Sequence, residues 1–442
     1  MNRFLFKPID IATLVLFRIV AGCLLAFEQI NQLLSGDFNN YLEPQFHFSY
    51  MFFPWIKPLP PQGMYLLIGI TIAAGFFVAA GLFYRASATV LFIGYSLLFL
   101  MEETEYVNHF YLYCLLCFIL ILVPAHRAFS MDVVRKPWLK RAYTPAWAVY
   151  ILLFQISLVY FYAGVAKLHP DWLEARPLQI WMAAKASRAV IGPMLAHPFT
   201  PWLMSYAGVA VDLLFAPLLL FRRTRIIGLA LAVIFHSSNA LIFGLATFPW
   251  FSLLLTSMYF SPSWPRRLPV LRRHLPAFNP EAITFNQQKI AYSKVLSSFL
   301  ILYAAVQILV PLRHFLYPGN VNWTEEGHKF AWHMMLRSKS GSVTYSVVLP
   351  EEENRLIIEH PHLYLTHDQT YKLPDQPDLI LQFAHFLKEK YQQQGHTEVQ
   401  VFADAYVSLN GRPAQPIVDK TVDLAAEARG LHAYSWILPL KE

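Results

Sequence analysis

The sequence is poor in charge: of its 442 residues only 14% are charged, whereas 56% are hydrophobic and 16% are aromatic. Soluble globular proteins carry about 25% charged residues, so this composition excludes that class and indicates an integral membrane protein. Cysteine is also scarce, and Cys23, Cys114 and Cys117 all lie in apolar segments. The sequence therefore predicts neither a disulfide framework nor a metal–cysteine site.

Several enzyme motifs are absent as well. The sequence contains no G-x-x-x-x-G-K-[ST] loop, no G-x-S-x-G elbow and no H-E-x-x-H pair. Phosphoryl transfer, serine hydrolysis and zinc-dependent proteolysis therefore lack their usual residues. Inverted repeats, which would favour a transporter, are not found either.

What the sequence does contain is a series of long apolar segments. A helix needs roughly 20 apolar residues to span a bilayer. We therefore predict a polytopic α-helical membrane protein with about nine spanning helices. The predicted helices are 11–33, 63–83, 87–101, 107–123, 147–166, 203–221, 226–244, 246–260 and 294–316.

Basic clusters predict the orientation of these helices. They fall at 126–141, 222–225 and 266–273, and short basic loops stay on the cytoplasmic side of a membrane. With the N-terminus inside and nine spans, all three clusters lie on that side. They thus indicate topology and give no reason to expect a nucleic-acid partner. The same count places on the outer face the segments 34–62, 102–106, 167–202 and everything after 316.

The composition changes at about residue 317. We predict a transmembrane domain over 1–316 and a soluble β-rich or α+β domain over 317–442, which is long enough to fold by itself. Within the soluble domain the patterns predict strands at 342–349 and 354–359, a helix at 378–394 and a hairpin turn at Asn410-Gly411.

Ionisable side chains also occur inside the apolar segments, where they are costly and usually face a cavity or one another. We expect Arg18 and Asp212 to neutralise each other, and Glu28 to lie at the membrane interface. The histidines His109 and His236 have two interpretations, as helix–helix hydrogen bonders or as part of a titratable cavity.

Lys167 is the most informative of these residues, because it ends an apolar span within the stretch YFYAGVAKLHPDW at 160–172. A lysine in this position can extend its ammonium to the headgroups and do nothing else. It can also be held as a neutral amine by an apolar site, and it is then a base.

Five stretches carry a family resemblance: LFRIVAGCLLAFE, NHFYLY, VYFYAGVAKLHPDWL, FHSSNALIFGLATFPW and VPLRHFLYPGNVNWTEEGHKFAWHMM. In this order they resemble the vitamin K-dependent gamma-glutamyl carboxylase family and its bacterial relatives, within the horizontally transferred transmembrane domain superfamily. The resemblance runs from roughly residue 10 to 345. Its most specific parts are AGV-x-KL-x-x-DW and PLRHFLYPGN-x-NWTEEG-x-x-FAW-x-MM.

The resemblance implies a coupled reaction. A reduced vitamin K, which is a naphthohydroquinone, is oxygenated to its epoxide, and this generates a base that removes the γ-proton of a peptide glutamate before CO2 adds to the carbanion. The implied cofactor is menaquinol or phylloquinol, a lipid quinol, with O2 and CO2 as co-substrates and no metal. The implied partner is a glutamate-containing exported protein or peptide, and the implied location is a bacterial inner membrane.

The resemblance also assigns residues. Lys167 occupies the position of the family's catalytic base, and His109 matches the histidine of its N-H-x-Y-L-Y run, where a polar ring could stabilise a developing oxyanion. His236, Asn108 and Tyr162 are expected to hold the quinone or stabilise the intermediate.

A further stretch, 327–337, corresponds to a part of the family linked to glutamate binding. Trp332, Met334 and His333 are therefore candidates for the glutamate site, and ordinary packing is the alternative. His333 stands where animal enzymes have an acid, and Ala166 stands where they often have a second lysine.

Three functions remain open at this point. The first is a vitamin K-dependent carboxylase. The second is a quinol epoxidase with a different or no peptide substrate, and the third is a non-catalytic membrane transporter or scaffold of the same fold.

Overall fold

The computed structural model describes residues 2–245, 247–279 and 290–441. Within these ranges, apolar helices followed by a small sheet confirm a polytopic membrane protein with a soluble C-terminal domain. The apolar helices are α1 (Ala12–Ser35), α2 (Pro61–Ala80), α3 (Tyr84–Met101), α4 (Asn108–Leu122), α5 (Trp147–Ala166), α6 (Thr200–Leu220), α7 (Arg225–Phe243), α8 (Phe248–Ser257) and α9 (Ile290–Leu312). Short helices at Met131–Arg135, Pro170–Leu173, Arg176–Ala183, Gly192–Leu195 and Pro269–His274 lie between them.

Seven apolar helices in the described ranges are long enough to cross a bilayer; α4, with 15 residues, and α8, with 10, are shorter. At 1.5 Å per residue α8 covers only about 15 Å of a hydrocarbon core of about 30 Å. Residues on both sides of α8 nevertheless form hydrogen bonds with α1. Thr247, before α8, donates a hydrogen bond to Glu28, and Pro262, after α8, accepts one of 2.9 Å from Thr13.

The connecting segments gather at two faces of the helix bundle. At the first face, β1 (Pro8–Asp10) pairs with β2 (Tyr143–Pro145), and Asp10 forms a 2.6 Å ion pair with Arg266. At the second face, residues that follow α3 and α5 contact the C-terminal domain. We call this second face the outer face; that it points away from the cytoplasm stays a prediction.

The C-terminal domain is built on a four-stranded antiparallel sheet. Its strands β3 (Lys339–Leu349), β4 (Arg355–Glu359), β5 (Gln400–Leu409) and β6 (Gln415–Pro416) are ordered β4-β3-β5-β6. The helix α10 (Pro377–Gln393) buries Leu379, Phe383 and Leu387 in the same core as the sheet. The predicted strands, helix and turn are confirmed, since Asn410 and Gly411 have φ of 52° and 81°, as a two-residue hairpin turn requires. The domain boundary at 316/317 stays a prediction.

One prediction for charged residues is wrong. Arg18 does not contact Asp212: it is buried at the first face and donates to the backbone carbonyl oxygens of Ala125, Ala128 and Phe129. Carbonyl oxygens at a loop thus accept hydrogen bonds from both Nη atoms of this guanidinium, whereas its Nε has no partner among the described residues. The carboxylate of Glu28 is buried in the protein and accepts the hydrogen bond from Thr247 described above. That Glu28 lies at the depth of the membrane interface stays a prediction.

Candidate functional site

Most of the predicted functional residues meet at one cavity, which we call the main cavity. It lies in the bundle near the outer face and has a volume of about 340 Å³, within the range of about 300–1,000 Å³ that is common for small-molecule sites. Six residues predicted from the sequence line it: Asn108, His109, Lys167, His236, His333 and Met334.

Lys167 is held in this cavity by Asp212. The Lys167 Nζ lies 2.6 Å from Asp212 Oδ2, and the two side chains are only 7% and 3% exposed. The amine is also 5.2 Å from the centre of the Trp172 ring. Lys167 therefore does not extend toward the headgroups, and its ammonium form would be compensated by one buried carboxylate.

Glycine makes this contact possible. Gly164, one turn before Lys167 on α5, faces Leu213 on α6, and a Cβ added at Gly164 would lie 2.7 Å from Leu213 Cδ2 and 3.0 Å from its backbone nitrogen. Small residues allow membrane helices to approach this closely. The approach of α6 to α5 thus brings Asp212 to the lysine.

His236 lies on α7 at the same cavity and is hydrogen-bonded to Tyr160. The distance between His236 Nε2 and the Tyr160 hydroxyl is 2.5 Å, and His236 Nδ1 is buried with no partner among the described residues. Tyr160 is fixed in turn by Phe215, with ring centres 3.7 Å apart. The orientation of the imidazole is therefore set by a buried hydroxyl.

His109 has a different environment at the start of α4. Its ring contacts Tyr113 and Phe248, at centroid distances of 5.7 and 5.9 Å, and it forms no hydrogen bond with the residues that the structure describes. Phe248 also contacts His236, at 6.1 Å. The two imidazoles thus contact the same phenylalanine ring, and the His109 nitrogens are available to a ligand.

The outer wall of the cavity is the segment 325–337, which we call the outer wall segment. Its backbone is irregular: Glu325, Phe330, Trp332 and Met335 have φ between 49° and 65°, a region that bulky residues rarely adopt. Such a segment has no helix or strand to hold it, so its position depends on contacts with other parts of the chain.

Those contacts come from both domains. Asn108 Nδ2 donates to the His333 carbonyl at 2.9 Å, and the Phe330 amide donates to the Tyr106 hydroxyl at 2.6 Å. Lys339, at the start of β3, donates to Glu325 at 2.9 Å. The predicted residue Asn108 therefore positions the outer wall segment with its side chain.

The cations at the outer end of the main cavity are already paired. Arg337 contacts Glu325 at 2.5 Å and Lys329 contacts Glu103 at 2.6 Å. Burial lowers the pKa of His333 to about 3, with the nearby His314 and Arg337 adding to the shift, so His333 is neutral at pH 7. These three residues give the outer end little net positive charge.

Two predicted residues do not line the main cavity. The Tyr162 hydroxyl donates to the Ile308 carbonyl at 2.6 Å and so faces α9. Trp332 is buried in the bundle core, where it stacks on Tyr111 with ring centres 4.8 Å apart. Both belong to stretches whose other members line the cavity, but their own side chains contact neighbouring helices.

Sequence reasoning missed three residues at the site: Asp212, Tyr160 and Trp172. Asp212 is assigned above to a pair with Arg18, and Tyr160 and Trp172 belong to the 160–172 stretch without separate roles. For Tyr160 and Trp172 the available signal is their closeness to Lys167 in the sequence. Asp212 gives no such signal, because it lies on α6, beyond the long connection at 167–199.

A clamp joins the site to the C-terminal domain. Asp171, four residues after Lys167, accepts hydrogen bonds of 2.7 Å from both Nη atoms of Arg412 and from Asn410 Nδ2. Arg412 and Asn410 belong to the turn between β5 and β6. The end of the lysine helix is therefore tied to a hairpin of the other domain.

Two family models match this chain. One is described as the HTTM domain and matches residues 6–264, more than half of the chain; the other is described as the vitamin K-dependent gamma-carboxylase, lumenal domain, and matches residues 292–442. The first match contains α1 to α8, and the second contains most of α9 with the C-terminal domain. No solved structure matches the chain.

Proposed function

The chain belongs to the vitamin K-dependent gamma-carboxylase family, and we propose that it couples oxygenation of a reduced naphthoquinone to carboxylation of glutamate in an exported peptide. The observation that supports this most is the buried Lys167–Asp212 pair, which faces the same cavity as His109 and His236. The quinol supplies, when it reacts with O2, the strong base that removes the γ-proton of glutamate. The residues of this chain bind the reactants and move the first proton.

The main cavity fits the ring system of such a quinol. Its volume of about 340 Å³ suits a bicyclic head group, and Trp172, Phe235 and Phe248 give it apolar walls. A few polar groups, Lys167 and the two histidines, would fix the orientation of the quinol oxygens.

The Lys167–Asp212 pair would take the proton of a quinol hydroxyl. An ammonium cannot accept a proton, but moving its proton across the 2.6 Å contact to Asp212 gives a neutral amine beside a neutral carboxyl group. A dry site favours this exchange, because it removes two buried charges at once. Lys167 can then accept the quinol proton without any proton having left the cavity.

The imidazoles would act at the other side of the ring. His109, which has no hydrogen-bond partner among the described residues, can donate to an oxygen that becomes negative. His236 is positioned for the same purpose by Tyr160.

The outer wall segment would receive the glutamate. His333 Nδ1 is buried without a partner among the described residues, and Met334 and His333 both line the cavity. As a neutral imidazole, His333 can donate one hydrogen bond to a carboxylate. Export of the peptide and an extracytoplasmic location of the C-terminal domain are part of this proposal, as is a bacterial inner membrane.

A second candidate is quinol epoxidation without peptide carboxylation. One observation favours it: Arg337 and Lys329, the cations that line the outer end of the main cavity, are both engaged by carboxylates of this chain. A glutamate would have to compete with them or bind through neutral donors.

The test uses the full-length protein in lipid nanodiscs with a reduced naphthoquinone, O2, labelled bicarbonate and a glutamate-containing peptide. Epoxide together with label in the peptide supports carboxylation, epoxide alone supports the second candidate, and neither product refutes both. We expect Lys167→Ala to lower epoxide formation by about 10²- to 10⁴-fold, the usual contribution of a general base.

Two further variants make this result interpretable. Lys140→Ala removes an exposed lysine outside the cavity and should keep the wild-type rate. Lys167→Met with Asp212→Asn removes both charges, so that loss of activity cannot be attributed to a buried carboxylate without its partner. A wild-type rate in either Lys167 variant would show that this lysine is not the base.

A further inference from the structure

A second, smaller cavity lies next to the main cavity at the outer face. It has a volume of about 140 Å³ and lies between residues 50–53, the residues that follow α9 and the chain near Arg429. Lys329 and Gln376 line both cavities, so the two are neighbours separated by these side chains. Since one water occupies about 30 Å³, the second cavity has room for one amino-acid side chain and is too small for the quinol ring system.

Most charges around the second cavity compensate each other. Glu103 accepts from Lys329 at 2.6 Å and from Arg429 at 3.0 Å, and Asp378 contacts Arg429 at 2.7 Å. These groups form one network in which each cation has a carboxylate.

Arg313 is different. Its Nη2 donates to the Lys329 carbonyl at 2.8 Å, its Nε is buried without a partner, and no carboxylate lies within 4.0 Å among the residues that the structure describes. The guanidinium carbon is 5.6 Å from the centre of the Phe330 ring, which restricts its orientation. A guanidinium has five donors arranged to bind a carboxylate in a bidentate manner, so Arg313 has donors to spare for an anion.

Two more carboxylates line this cavity. Glu325 is paired with Arg337 at 2.5 Å and with Lys339 at 2.9 Å. Glu326 accepts a hydrogen bond of 2.9 Å from the Tyr434 amide and forms no ion pair with the described cations. Burial raises the pKa of Glu326, which reduces its repulsion of an incoming anion. Glu326 and Arg313 therefore line the same cavity without neutralising each other.

We propose that the second cavity binds a carboxylate side chain of the peptide substrate, on a residue close in sequence to the glutamate that enters the main cavity. This inference rests on the proposed function and names a preference of its peptide site. The shared lining by Lys329 and Gln376 makes the two cavities adjacent along one peptide. Aromatic residues at 50–53, Tyr50, Phe52 and Phe53, would contact the rest of that peptide.

A free carboxylate or bicarbonate has the same chemistry as a peptide side chain, and the experiment separates the two. Two fluorescent peptides of equal length share one glutamate. They differ at a single nearby position, which is a second Glu in one peptide and Gln in the other. Their binding to the full-length protein in nanodiscs is measured without quinol, with and without added bicarbonate.

We expect the wild-type protein to bind the two-Glu peptide about ten- to a hundredfold more tightly, as for hydrogen bonds to a charged group. Arg313→Gln should abolish this difference, and Arg313→Lys should retain part of it. The control Arg355→Gln removes an exposed arginine of β4 that pairs with Glu352, and it should keep the full difference. Thermal unfolding of each variant shows that it is folded.

Three results overturn the inference. The first is equal binding of the two peptides to the wild-type protein. The second is a preference for the two-Glu peptide that is retained in the Arg313→Gln variant. The third is equal displacement of both peptides by bicarbonate, which would show that the second cavity binds a small anion and not a peptide side chain. If label from bicarbonate still enters the peptide in any of these cases, the proposed carboxylation stands and the second cavity alone loses its role.

Discussion

The clamp between Asp171 and Arg412 is expected to hold the C-terminal domain on the bundle. The Asp171 side chain is 3% exposed and that of Arg412 is 14% exposed, and two 2.7 Å hydrogen bonds join them. Removing one member of a buried pair costs about 3–5 kcal/mol, because the other charge stays buried. We therefore expect Asp171→Ala to lower the free energy of unfolding by about this amount.

An exposed pair of the C-terminal domain provides the control. Glu352 and Arg355 are 3.0 Å apart, but they are 39% and 62% exposed, and exposed pairs contribute about 0–1 kcal/mol. The measurement is a double-mutant cycle by denaturant unfolding of the purified protein, with Asp171→Ala and Arg412→Ala in one cycle and Glu352→Ala and Arg355→Ala in the other. If the coupling in the first cycle is no larger than in the second, the clamp does not hold the domains together.

The clamp should also depend on pH. Burial acts to raise the pKa of Asp171, but the hydrogen bonds from Arg412 and Asn410 outweigh it and lower the pKa below its ordinary value. A carboxyl group with a lowered pKa contributes its stabilisation above about pH 4, its value in the unfolded chain, and loses it as the pH falls further. The difference between wild type and Asp171→Ala should be constant from pH 7 to about pH 5 and disappear in stronger acid.

Two more predictions concern the lysine pair and the helix packing that forms it. Asp212→Asn removes the group that can take the proton of the Lys167 amine, so we expect epoxide formation to fall at least about tenfold while the quinol still binds. Chromatography of the epoxide measures the rate, and a wild-type rate would refute the role of Asp212. Gly164→Ala places a Cβ 2.7 Å from Leu213 and should lower the free energy of unfolding by about 1–3 kcal/mol, whereas at Gly69 a Cβ would meet nothing within 4 Å. Equal unfolding curves for Gly164→Ala and Gly69→Ala would show that α5 and α6 are not limited by this contact.

The helices could be predicted from the sequence because the bilayer requires long apolar segments. Each predicted span corresponds to one helix in the described residues, and even the short α8 was found. The same hydropathy says nothing about rotation around a helix axis or about which helices are neighbours. The Arg18–Asp212 pairing failed for this reason, since both residues lie inside spans but contact different partners.

The site could be predicted in part. Lys167, His109 and His236 were found because ionisable groups in spans are rare and because a family pattern surrounds them. Tyr162 and Trp332 belong to the same patterns, but their side chains face α9 and the bundle core, which depends on helix rotation and on the left-handed backbone at Trp332. The Asp171–Arg412 clamp joins residues 241 positions apart and leaves no local pattern.

The outer wall segment has a consequence for the order of biosynthesis. By the time α9 has been made, the ribosome has already produced Lys167, Asp212, His109 and His236, and the bundle can place them. The segment that closes the cavity over them is held from Asn108 and also from Lys339 and β3, and β3 is completed by pairing with β5, which ends at Leu409. The cavity of a nascent chain thus lacks this wall after Lys167 and its neighbours have been made, and the wall can be fixed in place only after β5 has been synthesised and has paired with β3.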